Sequence, residues 1–247
     1  MKLNVVAMVL VLFASMAYGQ DAKEIIRKMD ENAQGNSSKS EITMKIVRPS
    51  WTREVGVKGW SLGTKYSLIL ITAPNRDKGS AFLKRDNEMW NWQPTINRVI
   101  KMPPSMMMQS WMGSDFTNDD LVKQSSIVED YTHKILKDTT MQGRECYKIE
   151  MIPNEDAAVV WGKIHTYVTK KDYLQLLSKF YDEDEYLINT MHMSAIKEMG
   201  GRTIPTKMEM IPAEEPGNKT IIEYTSMEFD VPIEESFFSM QNMKRVR

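Results

Sequence analysis

The chain has 247 residues, with 32 basic and 33 acidic side chains, a formal net charge of −1 and one cysteine. That balance excludes the basic patch or stripe a nucleic-acid partner would need. A lone Cys146 excludes an intramolecular disulfide, so folding must rest on the apolar core.

From the N-terminus, Lys2 precedes an apolar run from Val5 to Ala17 that only Ser15 interrupts. Ala17-Tyr18-Gly19 then offers small residues where a signal peptidase reads, and Gln20-Asp21 turns polar. Residues 1–19 therefore read as a secretory signal peptide. A membrane anchor would need about 20 apolar residues. Position 20, directly after Gly19, is Gln and not a cysteine that could carry a lipid there, and no long apolar stretch recurs. The expectation is a soluble, exported, single domain over residues 20–247.

Asp21 to Ala33 predicts a helix, with Ala22, Ile25, Ile26 and Met29 at helical spacing, ended by Gln34-Gly35-Asn36. The period then changes to two. Strand-like runs cover 42–46, 51–60, 65–72, 80–84, 88–93 and 97–102, with Arg85-Asp86-Asn87 as a tight hairpin connection. Pro103-Pro104 stops the sheet. Ser105 to Met112 predicts a helical turn or two. Thr117 to Lys123 predicts a short helix, with Thr117 and Asp120 spaced almost as a capping box. Strands resume at 126–136, 145–152, 159–169, 173–181, 186–195, 203–211 and 220–229, with Gly200-Gly201 as a turn and a last short helix over 234–240. About a dozen strands, few helices and no βαβ rhythm predict a mainly β protein, an antiparallel sheet curled around its interior.

Catalytic and metal patterns are weak. Gly59-Trp60-Ser61-Leu62-Gly63 matches G-x-S-x-G, but an esterase elbow needs a helix after the serine. Here the strand-like Tyr66–Ile71 follows, so a serine esterase using Ser61 is a remote alternative. Asp115, Thr117 and Asp119 imitate the start of a calcium loop, yet its sixth and twelfth positions hold Asp120 and Ser126 instead of Gly and Glu. His133, His165 and His192 lie on separate strands without ligand spacing. The expectation is no catalytic residue, no metal site and no cofactor. Cys146 reads as a small buried hydrophobe, and Asp182 to Glu185 as a solvated hairpin tip.

Apolar content is what stands out. Methionine occurs 21 times, and a flexible thioether suits an adaptable apolar surface. Trp90 and Trp92 share one face of a strand. Met107, Met108, Trp111 and Phe116 follow within one segment. These six are the expected ligand-binding residues, lining or covering an apolar cavity.

Asn87-Glu88-Met89-Trp90, Arg98-Val99-Ile100-Lys101, the stretch from Trp111 to Leu121, Val159-Val160-Trp161 and Gly201 to Thr206 resemble the outer membrane lipoprotein-sorting protein family, relatives of the periplasmic (LolA-like) lipoprotein carriers. The resemblance spans nearly the whole chain after residue 19. It implies an incompletely closed antiparallel β-barrel of roughly 11–12 strands with helices covering the mouth. It also implies a periplasmic, non-enzymatic carrier of lipid or of the acyl chains of a lipoprotein. An inner-membrane export transporter and an outer-membrane acceptor would be its partners, and the carrier itself a monomer. The competing role is an accessory or scaffold protein of an envelope lipid-export complex. No functional residue of the better-known carriers maps onto a position here.

Overall fold

The structure, a computed structural model, describes residues 21–124 and 126–247. The expected signal peptide, residues 1–19, lies outside them.

Helix α1 (Ala22–Gln34) begins where the Asp21 side chain accepts the Lys23 N–H at 3.1 Å. It ends where Gly35, at φ 66°, donates its N–H to Glu31 O. Its buried face is Ala22, Ile25, Ile26 and Met29, the set its 3.6-residue spacing predicts.

Thirteen strands follow: β1 (Ser37–Arg48), β2 (Trp51–Leu62), β3 (Tyr66–Ala73), β4 (Ala81–Arg85), β5 (Glu88–Gln93), β6 (Arg98–Lys101), β7 (Tyr131–Met141), β8 (Arg144–Pro153), β9 (Lys163–Thr169), β10 (Gln175–Tyr181), β11 (Leu187–Met199), β12 (Arg202–Pro212) and β13 (Lys219–Phe229). A last turn of helix, α2, spans Met240–Met243. The count equals the thirteen strand-like runs of the sequence and is one more than the upper figure the resemblance implies, with β4, β5 and β6 each pairing as a separate strand.

All thirteen form one antiparallel sheet, in the order β6-β5-β4-β3-β2-β1-β13-β12-β11-β10-β9-β8-β7. Two meanders meet at the β1–β13 pair, and the sheet curls without closing. The exposed edge β6 is four residues long and carries Arg98 and Lys101, which discourages pairing with another chain.

Two strands start well after the residue the periodicity predicts. The strand expected over 126–136 starts only at Tyr131. Ser126 N–H donates to the Asp130 carboxylate, and Asp130 N–H returns to Ser126 O, so 126–130 close into a turn. The strand expected over 159–169 starts at Lys163. At Gly200-Gly201 the expected turn is present. A Cβ on Gly200, at φ +59°, would lie 2.5 Å from Met227 O, so only glycine fits there.

The concave face carries the main core, which includes the buried faces of α1 and of the β6–β7 crossover. The outer face of β3 to β5 is not left to water. Leu68, Leu70, Leu83, Trp90 and Trp92 pack beneath the C-terminal segment, where Phe238 and Met243 are buried. The Phe238 ring stacks on Tyr66 at 5.7 Å, and Arg85 ties the segment down by donating to Phe238 O and to Glu235. Phe238→Ala should therefore cost about 3–5 kcal/mol, as for other fully buried aromatics. Urea unfolding measures it; a loss under about 1 kcal/mol would mean the segment does not cover the sheet.

Candidate functional site

Consecutive strands β6 and β7 lie at opposite edges of the sheet, so residues 102–130 must cross its concave side. The crossover folds back on itself: Trp111 N–H donates to Phe116 O, Asn118 N–H to Gln109 O and Asp119 N–H to Met107 O. Its far end is fastened by Asp115. That carboxylate contacts the Arg48 guanidinium at 3.0 and 3.1 Å and accepts the Thr220 hydroxyl at 2.6 Å. Arg48 also donates to Gly113 O. Both charges are removed from solvent, the side chains being 13% and 5% exposed.

The segment then turns back through Thr117 and Asp120. Thr117 N–H donates to the Asp120 carboxylate at 2.8 Å, and Asp120 N–H to the Thr117 hydroxyl at 3.1 Å. These are the reciprocal bonds of a capping box. They open a short helical turn over Asp119–Lys123 with π-type bonding. The second Asp120 oxygen accepts Trp161 Nε1 at 2.9 Å, which fixes the crossover to the β8–β9 connection. Asp115 and Asp120 are thus accounted for by an ion pair and a cap. Among the described residues, no group of three His, Cys, Asp or Glu is placed to hold a metal ion.

Beneath α1 and this crossover lies a cavity of about 380 Å³. Its walls come from both meanders: Ile42, Val57 and Ile69 on one side, Met151, Ile164, Phe180, Met191, Met193, Met208 and Met210 on the other. The methionines of β11 and β12 stand directly across from one another, Met191 against Met210 and Met193 against Met208. Met29 from α1 and Trp111, Phe116 and Leu121 from the crossover form the cover.

The six expected ligand-binding residues are dispersed. Trp111 and Phe116 line the cavity. Met107 is buried in the same core but is not part of the wall. Met108 points away and is 71% exposed. Trp90 and Trp92 do share a face, but it is the outer one, beneath Phe238. The lining methionines lie outside the expected six, although the sequence carries their signal. Met191-x-Met193 and Met208-x-Met210 repeat at period two on strands that pair.

Ser61 also lines the cavity, and its hydroxyl contacts that of Ser38 at 2.7 Å. It sits inside β2 with β3 following, so the strand–turn–helix of a nucleophile elbow is not formed. His133 contacts Ile127 O and His165 contacts Glu150; neither histidine reaches Ser61. Cys146 is buried between strands, and burial pushes its thiol pKa up.

Two outcomes follow from the crossover. Arg48→Met strands the buried Asp115 charge and should destabilise the protein by about 3–5 kcal/mol, with Arg48→Met/Asp115→Leu recovering much of that. Urea unfolding of both variants tests it; a single variant within about 1 kcal/mol of wild type would be contrary.

Burial pushes the Asp120 carboxyl above its ordinary 3.8. The fold therefore favours the protonated form. That contribution is full below about pH 3.8 and is lost as pH rises through the raised folded value. The stability advantage of wild type over Asp120→Asn should shrink as pH rises from about 3.5 to about 7. An advantage that stayed constant across that range would show an ordinary carboxyl.

The family model that matches this chain covers residues 63–245 and bears the description "-like: Uncharacterized protein". No curated protein matches. Solved structures do. A DUF1329 family protein from Desulfovibrio piger is similar over 90% of this chain and 97% of its own, at 23% identity and a TM-score of 0.82. An outer membrane lipoprotein-sorting protein domain from Vibrio parahaemolyticus is similar over 91% and 98%, at 23% identity and a TM-score of 0.81. A LolA superfamily protein from Nitrosomonas europaea follows at 90% and 98%, 20% identity and 0.78. The fold is that of these structures, an incomplete antiparallel barrel.

Proposed function

The chain belongs to the family whose model spans residues 63–245, and from that premise we propose that it is an exported carrier of the bacterial envelope. It holds a lipid, or the acyl chains of a lipoprotein, and performs no chemistry on them. The observation that carries this reading is the cavity of about 380 Å³ walled by methionine and aromatic side chains. Its size falls within the range of small-molecule sites. Burying acyl methylenes is worth about 0.8 kcal/mol each, so a pocket of this kind gains affinity from shape and apolar area with few polar contacts.

The lipoprotein-sorting name of the similar Vibrio parahaemolyticus structure supports the same role. Among the described residues no helix is long and apolar enough to cross a membrane. Residues 1–19 would export the chain to the periplasm. An inner-membrane exporter would load the carrier and an outer-membrane acceptor would unload it.

Mass spectrometry of an organic extract of the purified protein tests the reading. Wild-type protein should release an acyl lipid in near-stoichiometric amount. Met208→Trp, which puts an indole into the cavity from β12, should release several-fold less at an unchanged melting temperature. Wild-type protein that carries no lipid, and takes none up from added neutral lipid, would refute the carrier.

A further inference from the structure

Strand register gathers serine hydroxyls at one end of the cavity on β1 to β3, while Ser178 of β10, paired with Met191, and Gln175 add polar groups beside the methionines. The row nearest the α1 C-terminus is Ser38, Ser61 and Ser67, directly paired across β1, β2 and β3. The next row is Ser40, Gly59 and Ile69, then Ile42, Val57 and Ile71. Beyond these, Met44, Ile222, Met208 and Met193 stand in one row across β1, β13, β12 and β11.

Gly59 keeps the row beside the hydroxyls open, since a Cβ there would lie 2.9 Å from Ser40 Oγ. Thr64, Gln34 and Gln124 add neutral hydrogen-bonding groups to the same end.

Among the described lining residues the charged side chains are all acidic. Asp30, Asp119 and Asp120 line the cavity, and among the described lining residues none is Lys, Arg or His. The Lys84 ammonium is close by, but it donates to Thr64 O at 2.5 Å and to Gln124 O at 3.4 Å, holding the crossover against the β2–β3 turn. An anionic head entering here would leave water to face carboxyl groups, which is costly. A hydroxyl-bearing head would exchange its bonds to water for bonds to serine and glutamine.

We propose that the cavity selects amphiphiles with an uncharged, hydrogen-bonding head, such as a glyceryl ester, and rejects anionic amphiphiles with the same chain. The apolar chain lies toward the methionine end and the head at the hydroxyl row. Burial pushes the Asp30 and Asp120 carboxyls up, which fits walls that disfavour negative charge. This selectivity rests on the carrier reading and deepens it.

The test uses purified protein titrated with monopalmitoylglycerol and with palmitate at about pH 8, below their aggregation limits, with tryptophan fluorescence as the readout. Monopalmitoylglycerol should bind at least about tenfold more tightly, about 1.4 kcal/mol. Ser40→Lys, which adds a cation in the row next to the hydroxyls, should narrow or reverse that gap. Should Ser40→Lys fail to fold, Gln34→Lys on α1 makes the same change from the cover. Palmitate binding as tightly as the glyceride, or a gap that the folded lysine variant leaves unchanged, would overturn the selectivity and leave the carrier standing. Failure of both probes to bind, with no lipid in the extract, would remove the carrier itself and this inference with it.

Discussion

The chain leaves the sheet at one edge and must re-enter it at the other. Strands β6 and β7 are neighbours in sequence but occupy the first and the last places in the order of the 13-stranded sheet. Twenty-nine residues cannot avoid the concave side on such a route, and whatever they carry becomes the roof of the interior. Fastening that roof is then the decisive requirement. Asp115 does so at one end, bonded to Arg48 of β1 and Thr220 of β13, the two strands that join the meanders. A single carboxylate thus ties the roof to the seam of the sheet. An ion pair this buried must be well satisfied to be stable, and the added bonds from Thr220 Oγ1 to Asp115 and from Arg48 to Gly113 O supply that.

A roof over a curled sheet leaves space, and the side chains around it decide what the space is for. Interiors are ordinarily filled to crystal-like density, and an unfilled volume lowers stability. Here the wall is built from side chains that can move into such a volume. Methionine has three rotatable bonds and no branch, and the Met191–Met210 and Met193–Met208 pairs place four of them face to face. The same wall can pack inward when empty and yield when occupied. β-branched residues in those positions would be stiffer at χ1.

Much of this was legible in the sequence. The change of period after Asn36, the Gly200-Gly201 turn and the Thr117/Asp120 cap are local signals, and each has its counterpart in the fold. The cavity wall was harder to read. Alternation tells which residues share a face, and Trp90 and Trp92 do, but it cannot tell inside from outside when both faces are covered. The outer cover comes from Phe238 and Met243, nearly 150 residues further along the chain, and nothing in β5 itself announces it. Met108 was misplaced for a related reason. In a run of three methionines without strand period, only the turn bonds of the crossover decide that Met107 enters the core and Met108 faces water. The wall methionines, spaced by two on strands far from that run, gave a quieter but better signal.

The two ends of the cavity are held with unequal strength, and that follows from where the bonds are buried. The Asp115 end rests on a desolvated ion pair, whose loss would strand a charge in the interior. The hydroxyl end lies under α1, whose polar anchors are at the surface. Lys23 meets Glu129 with both side chains largely exposed, Lys28 lies 4.9 Å from the centre of the Tyr173 ring, and Asn32 and Arg202 bond to backbone carbonyls of Asp172 and Glu31. Exposed pairs of this kind contribute about 0–1 kcal/mol each. What keeps α1 in place is the burial of Ile25, Ile26 and Met29 against the core, and Met29 is itself part of the cavity wall. The cover at the hydroxyl end is therefore held mainly by apolar contact, and part of that contact is with the space a ligand would fill. An acyl chain lying against Met29 would add to the surface that α1 buries. Met29 would in that case couple occupancy to closure from the helix, with the Asp115 end held by its ion pair.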